Sequence, residues 1–122
     1  MAVNVRFVGD VAILSNFGRL MNDPRHFDAG REVGVLLEQG YRRFVLEIGG
    51  VRETGSTVLG LLMTLTRKVR LGGGEAVLAN ITPPMEKFLD EMRMDAYWDV
   101  FDDAHHAISF LESRAPVKPA LR

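Results

Sequence analysis

Apolar and polar positions along the chain change period several times, and each change marks an element. In "VNVRFVGDVAILSNFG", Val3, Val5 and Phe7 alternate with polar residues, the period of a half-buried strand. Gly9-Asp10 predicts a turn and "VAILS" a second strand, so a hairpin is expected. The period then lengthens in "MNDPRHFDAGREVGVLLEQG", which predicts a helix. Asn22 or Asp23 can cap it, and Pro24 suits a first turn, where no amide hydrogen is missed. Phe27, Val33, Leu36 and Leu37 can share its inner face, and Gly40 is a plausible stop. "RRFVLEI" is a mostly apolar run, expected as a central strand buried on both faces and broken at Gly49-Gly50. A helix from about Ser56 to Leu71 follows, ended by "GGG". "EAVLANI" reads as another buried strand. Thr82 caps "PPMEKFLDEM", "YWDVF" is a last short strand, and Asp102 or Asp103 caps "AHHAISFLES".

The expected order is therefore β-β-α-β-α-β-α-β-α. Strands alternating with helices predict an α/β single domain over residues 1–114. Its mixed sheet of four to five strands is flanked by about four helices. The segment "APVKPALR", residues 115–122, carries two prolines and no apolar period, and is expected to be a flexible tail.

The junction "RETGSTVLGLL" draws most notice. At about 100° per residue, Val58, Leu61, Leu62, Leu65 and Val69 fall on one helical face, which belongs to a core. Ser56, Gly60, Met63 and Arg67 fall on roughly the opposite face. Ser56 has two compatible readings. It can cap the helix, because hydroxyl oxygens accept orphan amides there. It can also carry a phosphate, which the free amides and positive dipole end of a helix start tolerate. Gly60 costs a helix interior about 1 kcal/mol relative to alanine. The offset is either close packing inside the domain or close approach of a partner's backbone. Met63 suits a flexible apolar contact.

Bulk properties narrow the function. The chain has 122 residues, 47% hydrophobic, with a formal net charge of -1. No basic field is present to hold a nucleic-acid backbone. Cysteine is absent, which removes disulfides and thiolate zinc sites. The start lacks a signal-peptide pattern, and "VLGLLMTL" falls well short of the roughly 20 residues of a membrane helix. A cytoplasmic protein is expected.

Enzyme motifs are missing. "TGSTV" is not a Gly-x-Ser-x-Gly elbow, and no lysine lies three residues after Ser56. "GGG" lacks the Gly-Lys-Ser/Thr ending of a phosphate loop. His105 and His106 are adjacent and cannot form an i, i+4 metal pair, and His26 is isolated. Glu47 and Glu53 flank the junction without a defined acid–base geometry. Tyr97 and Trp98 read as core and rim aromatics. No catalytic residue, metal or cofactor is expected.

Taken together, "FVLEIGGVRETGSTVLGLL", "GDVAILSNFGRL" and the second half from "GGGEAVLANITPP" to "VFDDAHHAISFL" resemble the STAS family, specifically the bacterial anti-sigma-factor antagonists. Leu46, Glu47 and Ile48 stand at the family's strand end, and Gly50 and Val51 in its loop. Ser56 stands at the phosphorylated serine, Thr57 at its neighbour, and Leu59 and Gly60 at the Leu-Gly that follows. The acidic residue before the serine is replaced by Gly55, and the glycine after the Ser/Thr pair by Val58.

The resemblance implies a non-enzymatic regulator of transcription that works by partner switching. The unmodified form binds an anti-sigma factor, typically a histidine-kinase-like serine kinase. Phosphorylation at Ser56, or alternatively Thr57, releases it, and a serine phosphatase resets the cycle. The implied contact residues are Gly55, Ser56, Thr57, Leu59, Gly60, Met63 and Arg67. Two other readings compete. One is an adaptor subunit that is not phosphorylated, in an assembly such as a transporter complex. The other is a flavodoxin-like small-molecule module or hydrolase.

Overall fold

The computed structural model describes residues 3–20, 28–52 and 55–114. The suggested caps Asn22 and Asp23, Pro24 and Phe27 of the expected helix, the isolated His26, the carboxylate Glu53, and the expected tail 115–122 lie outside the described residues. The strands are β1 (Asn4–Val8), β2 (Val11–Ser15), β3 (Arg43–Glu47), β4 (Glu75–Ala79) and β5 (Val100–Phe101). The helices are α1 (Phe17–Leu20), α2 (Ala29–Glu38), α3 (Ser56–Leu71), α4 (Pro83–Glu91) and α5 (Ala104–Glu112). One five-stranded sheet runs in the order β1-β2-β3-β4-β5. β1 and β2 form the antiparallel hairpin around Gly9-Asp10, and every later pairing is parallel. The fold is α/β, with a mixed five-stranded sheet.

The strand order explains where the helices lie. Each parallel strand is added on the same side of the one before it. A constant right-handed crossover therefore puts every connecting helix on the same sheet face. The apolar residues divide accordingly. Ala12, Leu14, Phe44, Leu46, Ala76 and Leu78 meet α2, α3 and α4 in the main cluster. Val11, Ile13, Val45, Val77 and Ala79 point the other way and are covered by Ala107 and Leu111 of α5. Burial on both faces is why β2, β3 and β4 read as unbroken apolar runs. The register also fits the volumes: Phe44 lies between Ala12 and Ala76, its partners on the two flanking strands.

Three expectations need correction. A short helix, α1, follows β2 at "FGRL", an element missing from the expected order. Phe7, expected on the inner side of β1, is 48% exposed and stacks on Tyr41 with ring centroids 4.7 Å apart. β1 is an edge strand, and neither cluster reaches its far end. The last strand is shorter than "YWDVF": only Val100 and Phe101 are strand, while Tyr97 and Trp98 lie in a turn before it and Trp98 is buried in the main cluster. Its indole Nε1 donates to Thr66 Oγ1 of α3 at 2.7 Å. Thr66 is buried, so each polar group satisfies the other out of water.

The starts of α4 and α5 behave as their sequences suggest. Thr82 caps α4 by accepting the Met85 amide at 3.3 Å. Asp103 caps α5 by accepting the His106 amide at 2.8 Å. The amide and the His106 ring hold the Asp103 carboxyl below its ordinary range. The stabilisation from this cap is complete above the unfolded-state value, about pH 3.9. It is lost as pH falls through the lower folded-state value. Amides in the first turn of α5 should therefore lose exchange protection in strong acid before those of α3 do. Thr66→Val should leave the indole N–H buried without an acceptor and cost about 1–3 kcal/mol. Urea unfolding followed through Trp98, the only tryptophan, measures that loss.

Candidate functional site

Helix α3 is built around a division of its faces. Val58, Leu61, Leu62, Leu65 and Val69 are all buried, as the spacing predicts, and Leu59 and Thr66 join them. Ser56, Thr57, Gly60 and Arg67 are exposed, and Met63 is half-buried. Ser56, Gly60, Met63 and Arg67 thus form one outward ridge. At about 1.5 Å per residue it runs about 16 Å from end to end. Leu59 is set apart from this ridge: it is 7% exposed and packs in the main core cluster.

The helix entrance differs from the capping expectation. Ser56 is the first helical residue, and Gly55 occupies the cap position. The first intrahelical bond confirms the frame, since Leu59 N donates to Gly55 O at 3.1 Å. A capping oxygen must come from the residue before the first helical one, and here that residue has no side chain. No side-chain cap bond forms at this end. The Ser56 hydroxyl is therefore exposed beside first-turn amides without helical acceptors.

Gly55 is held by its backbone. It has φ 141° and ψ -178°, a region that is essentially glycine-only. An acidic side chain at this position would be strained whatever space surrounds it.

Gly60 resolves one of the two alternatives raised by its position. No atom lies within 4 Å of where its Cβ would sit, leaving aside the helix's own nearby backbone. Close packing within the described domain does not explain it. Beside Gly60 lies a shallow cavity of about 280 Å³ lined by Gly60, Met63, Thr64, Arg67 and Tyr97. Tyr97 is the residue that sequence reasoning missed as part of this surface. Only the turn of Trp98 into the core brings it beside α3, and no local pattern signals that turn. Arg70 fixes it: Nη2 donates to Tyr97 O at 2.7 Å, the guanidinium carbon lies 4.7 Å from the ring centroid, and Nε pairs with Glu75.

The loop before α3 is also braced. A Cβ on Gly18 of α1 would stand 2.3 Å from Gly50 O, so the α1 backbone lies directly on this loop. Glu47, at the end of β3, pairs with Arg6 at 3.1 Å and accepts from Asn80 Nδ2 at 2.8 Å. It is a structural carboxylate here, tying the end of β3 to the middle of β1 and to the residue after β4. His105 and His106 meet edge to face, and His106 Nδ1 lies 2.8 Å from Asp103. Among the described residues, no group of three or more His, Asp or Glu converges on a metal position. Among the same residues, no helix is long and apolar enough to cross a membrane.

Gly60→Ala should raise stability by about 1 kcal/mol, since the new methyl meets open space. Gly55→Asp should lower it by about 1–3 kcal/mol through backbone strain. Paired denaturant titrations read both signs.

Comparison with known proteins agrees with this architecture. The family model of the STAS domain matches residues 25–107, more than half of the chain. Among solved structures, one similar fold is a candidate anti-sigma factor antagonist from Thermotoga maritima. It has a TM-score of 0.73 at 19% identity, over 90% of this chain and 94% of that one. Another is an anti-sigma-factor antagonist (STAS) domain protein from Planctomyces limnophilus. It has a TM-score of 0.72 at 15% identity, over 90% of this chain and 97% of that one. Among curated proteins, no sequence matches this chain.

Proposed function

The chain belongs to the STAS domain family, and we propose that it is an anti-sigma-factor antagonist that switches partners through Ser56. The observation that carries this reading is the exposed, uncapped Ser56 at the head of an outward ridge on α3. In its unmodified form the ridge docks on an anti-sigma factor of the serine-kinase type, which frees the sigma factor. The kinase transfers phosphate to Ser56, or to the neighbouring exposed Thr57, and the complex separates. A serine phosphatase restores the docking form. The chain is substrate and binding module, and ATP belongs to the partner.

The energetics support such a switch. A phosphoserine carries almost two negative charges, and a helix N-terminus accommodates them within the domain. Inside an interface the same charges would be desolvated without pairing, at a cost of several kcal/mol. Each 1.4 kcal/mol weakens binding about tenfold. One phosphate can therefore release a partner while the fold persists.

Gly55 favours a second reading. The family's acidic residue is missing, and the backbone there is glycine-specific. A docking surface that is never phosphorylated would serve as an adaptor in an assembly such as a transporter complex.

Recovery of the full chain from its native cells, with mass spectrometry of partners and of Ser56 and Thr57, separates the two. Switching predicts a serine kinase and phosphate at Ser56. The adaptor predicts a transporter ATPase and no phosphate. On the switching reading, Ser56→Asp weakens binding to the recovered partner at least tenfold while the thermal midpoint holds. Unchanged affinity together with an unphosphorylated Ser56 in cells would overturn it.

A further inference from the structure

The cavity beside Gly60 has a form that the ridge alone does not explain. The cavity is shallow, and its volume of about 280 Å³ lies at the lower edge of the roughly 300–1,000 Å³ of small-molecule sites. It suits a side chain presented by another protein. The floor is Gly60, where nothing in the described domain approaches the missing Cβ. Thr64 Oγ1 donates to Gly60 O at 2.7 Å, so that floor can be dried without orphaning the hydroxyl. The wall is Tyr97, held by Arg70 on one side and edge-on to Trp98 with centroids 4.6 Å apart. An aromatic fixed in advance loses little freedom on binding and is a favoured anchor. The far end is Arg67.

Charge identifies the occupant. Helix α3 carries Arg67, Lys68 and Arg70 and no aspartate or glutamate. Arg70 is paired with Glu75. Arg67 is exposed, with no ion pair among the described residues. We infer that this groove seats an acidic amphipathic segment of the partner protein, with an apolar side chain over Gly60 against Tyr97 and a carboxylate on Arg67. The inference rests on the partner-binding reading of α3, and it names the partner's chemistry. Ser56 lies four residues before Gly60, about 6 Å along the axis, so a phosphate there would stand beside the apolar side chain over Gly60, while the carboxylate on Arg67, about 16 Å from Ser56, lies beyond the screening length of about 8 Å in physiological salt.

The test places a photo-crosslinking phenylalanine at position 64 of the full chain in its native cells and identifies the captured peptide. An apolar residue flanked by aspartate or glutamate is expected. A basic peptide, or no captured peptide, overturns the inference. Calorimetry with the captured protein then compares variants that leave folding intact. Gly60→Leu and Arg67→Glu should each weaken binding at least tenfold, and a carboxylate-to-lysine change in the captured segment should restore Arg67→Glu. Wild-type affinity for both variants overturns the groove. If Ser56→Asp still releases the partner in that case, the switch stands without the groove. If the groove variants lose binding and Ser56→Asp does not, the groove stands without the switch. Self-association of the wild type that Arg67→Glu abolishes makes a second copy the occupant, which also overturns the inference.

Discussion

A helix lying on a sheet can bury only one of its faces, and α3 has no freedom in choosing which. Its leucines and valines fill the space over Phe44, Leu46, Ala76 and Leu78. The bond from Trp98 to Thr66 adds a polar constraint inside that contact. Rotating the helix by one residue would pull a buried hydroxyl off its donor and lift leucines into water. Every property of the outer ridge follows from this locked orientation. Ser56, Gly60, Met63 and Arg67 face outward because their neighbours are committed inward.

The entrance to the helix adds a second constraint. The chain leaves β3, turns at Gly49-Gly50, and enters α3 through Gly55 in a backbone state that side chains avoid. The first helical residue is thereby a serine whose oxygen has no capping duty. A cap serine is half committed to its own helix, whereas this one makes no cap bond. The same backbone state gives a physical reason for the missing acidic residue: the position carries geometry in place of charge.

Much of this was legible in the sequence because it depends on short-range periodicity. The alternation of apolar runs with helical spacings located β2 to β4, α3, α4 and α5, and the caps at Thr82 and Asp103 were readable from residue type. The face division of α3 followed from arithmetic at 3.6 residues per turn. Long-range consequences were not legible. Phe7 looked inward by alternation, but an edge strand has too little covering it. Trp98 looked like strand, but a buried partner on a helix 32 residues away drew it out of the sheet. Tyr97 entered the surface for the same reason. The capping role suggested for Ser56 failed by one position, because helix starts are set by backbone dihedrals that composition indicates only loosely.

The contact between Gly18 and Gly50 carries a consequence for how such a domain can vary. Two bare backbone segments touch there, one leaving β2 and the other on the path to Ser56. Neither can yield by rotating a side chain, so a displacement of one is transmitted to the other as a rigid push. Residue 18 itself cannot gain even a methyl group without shifting the approach to the serine.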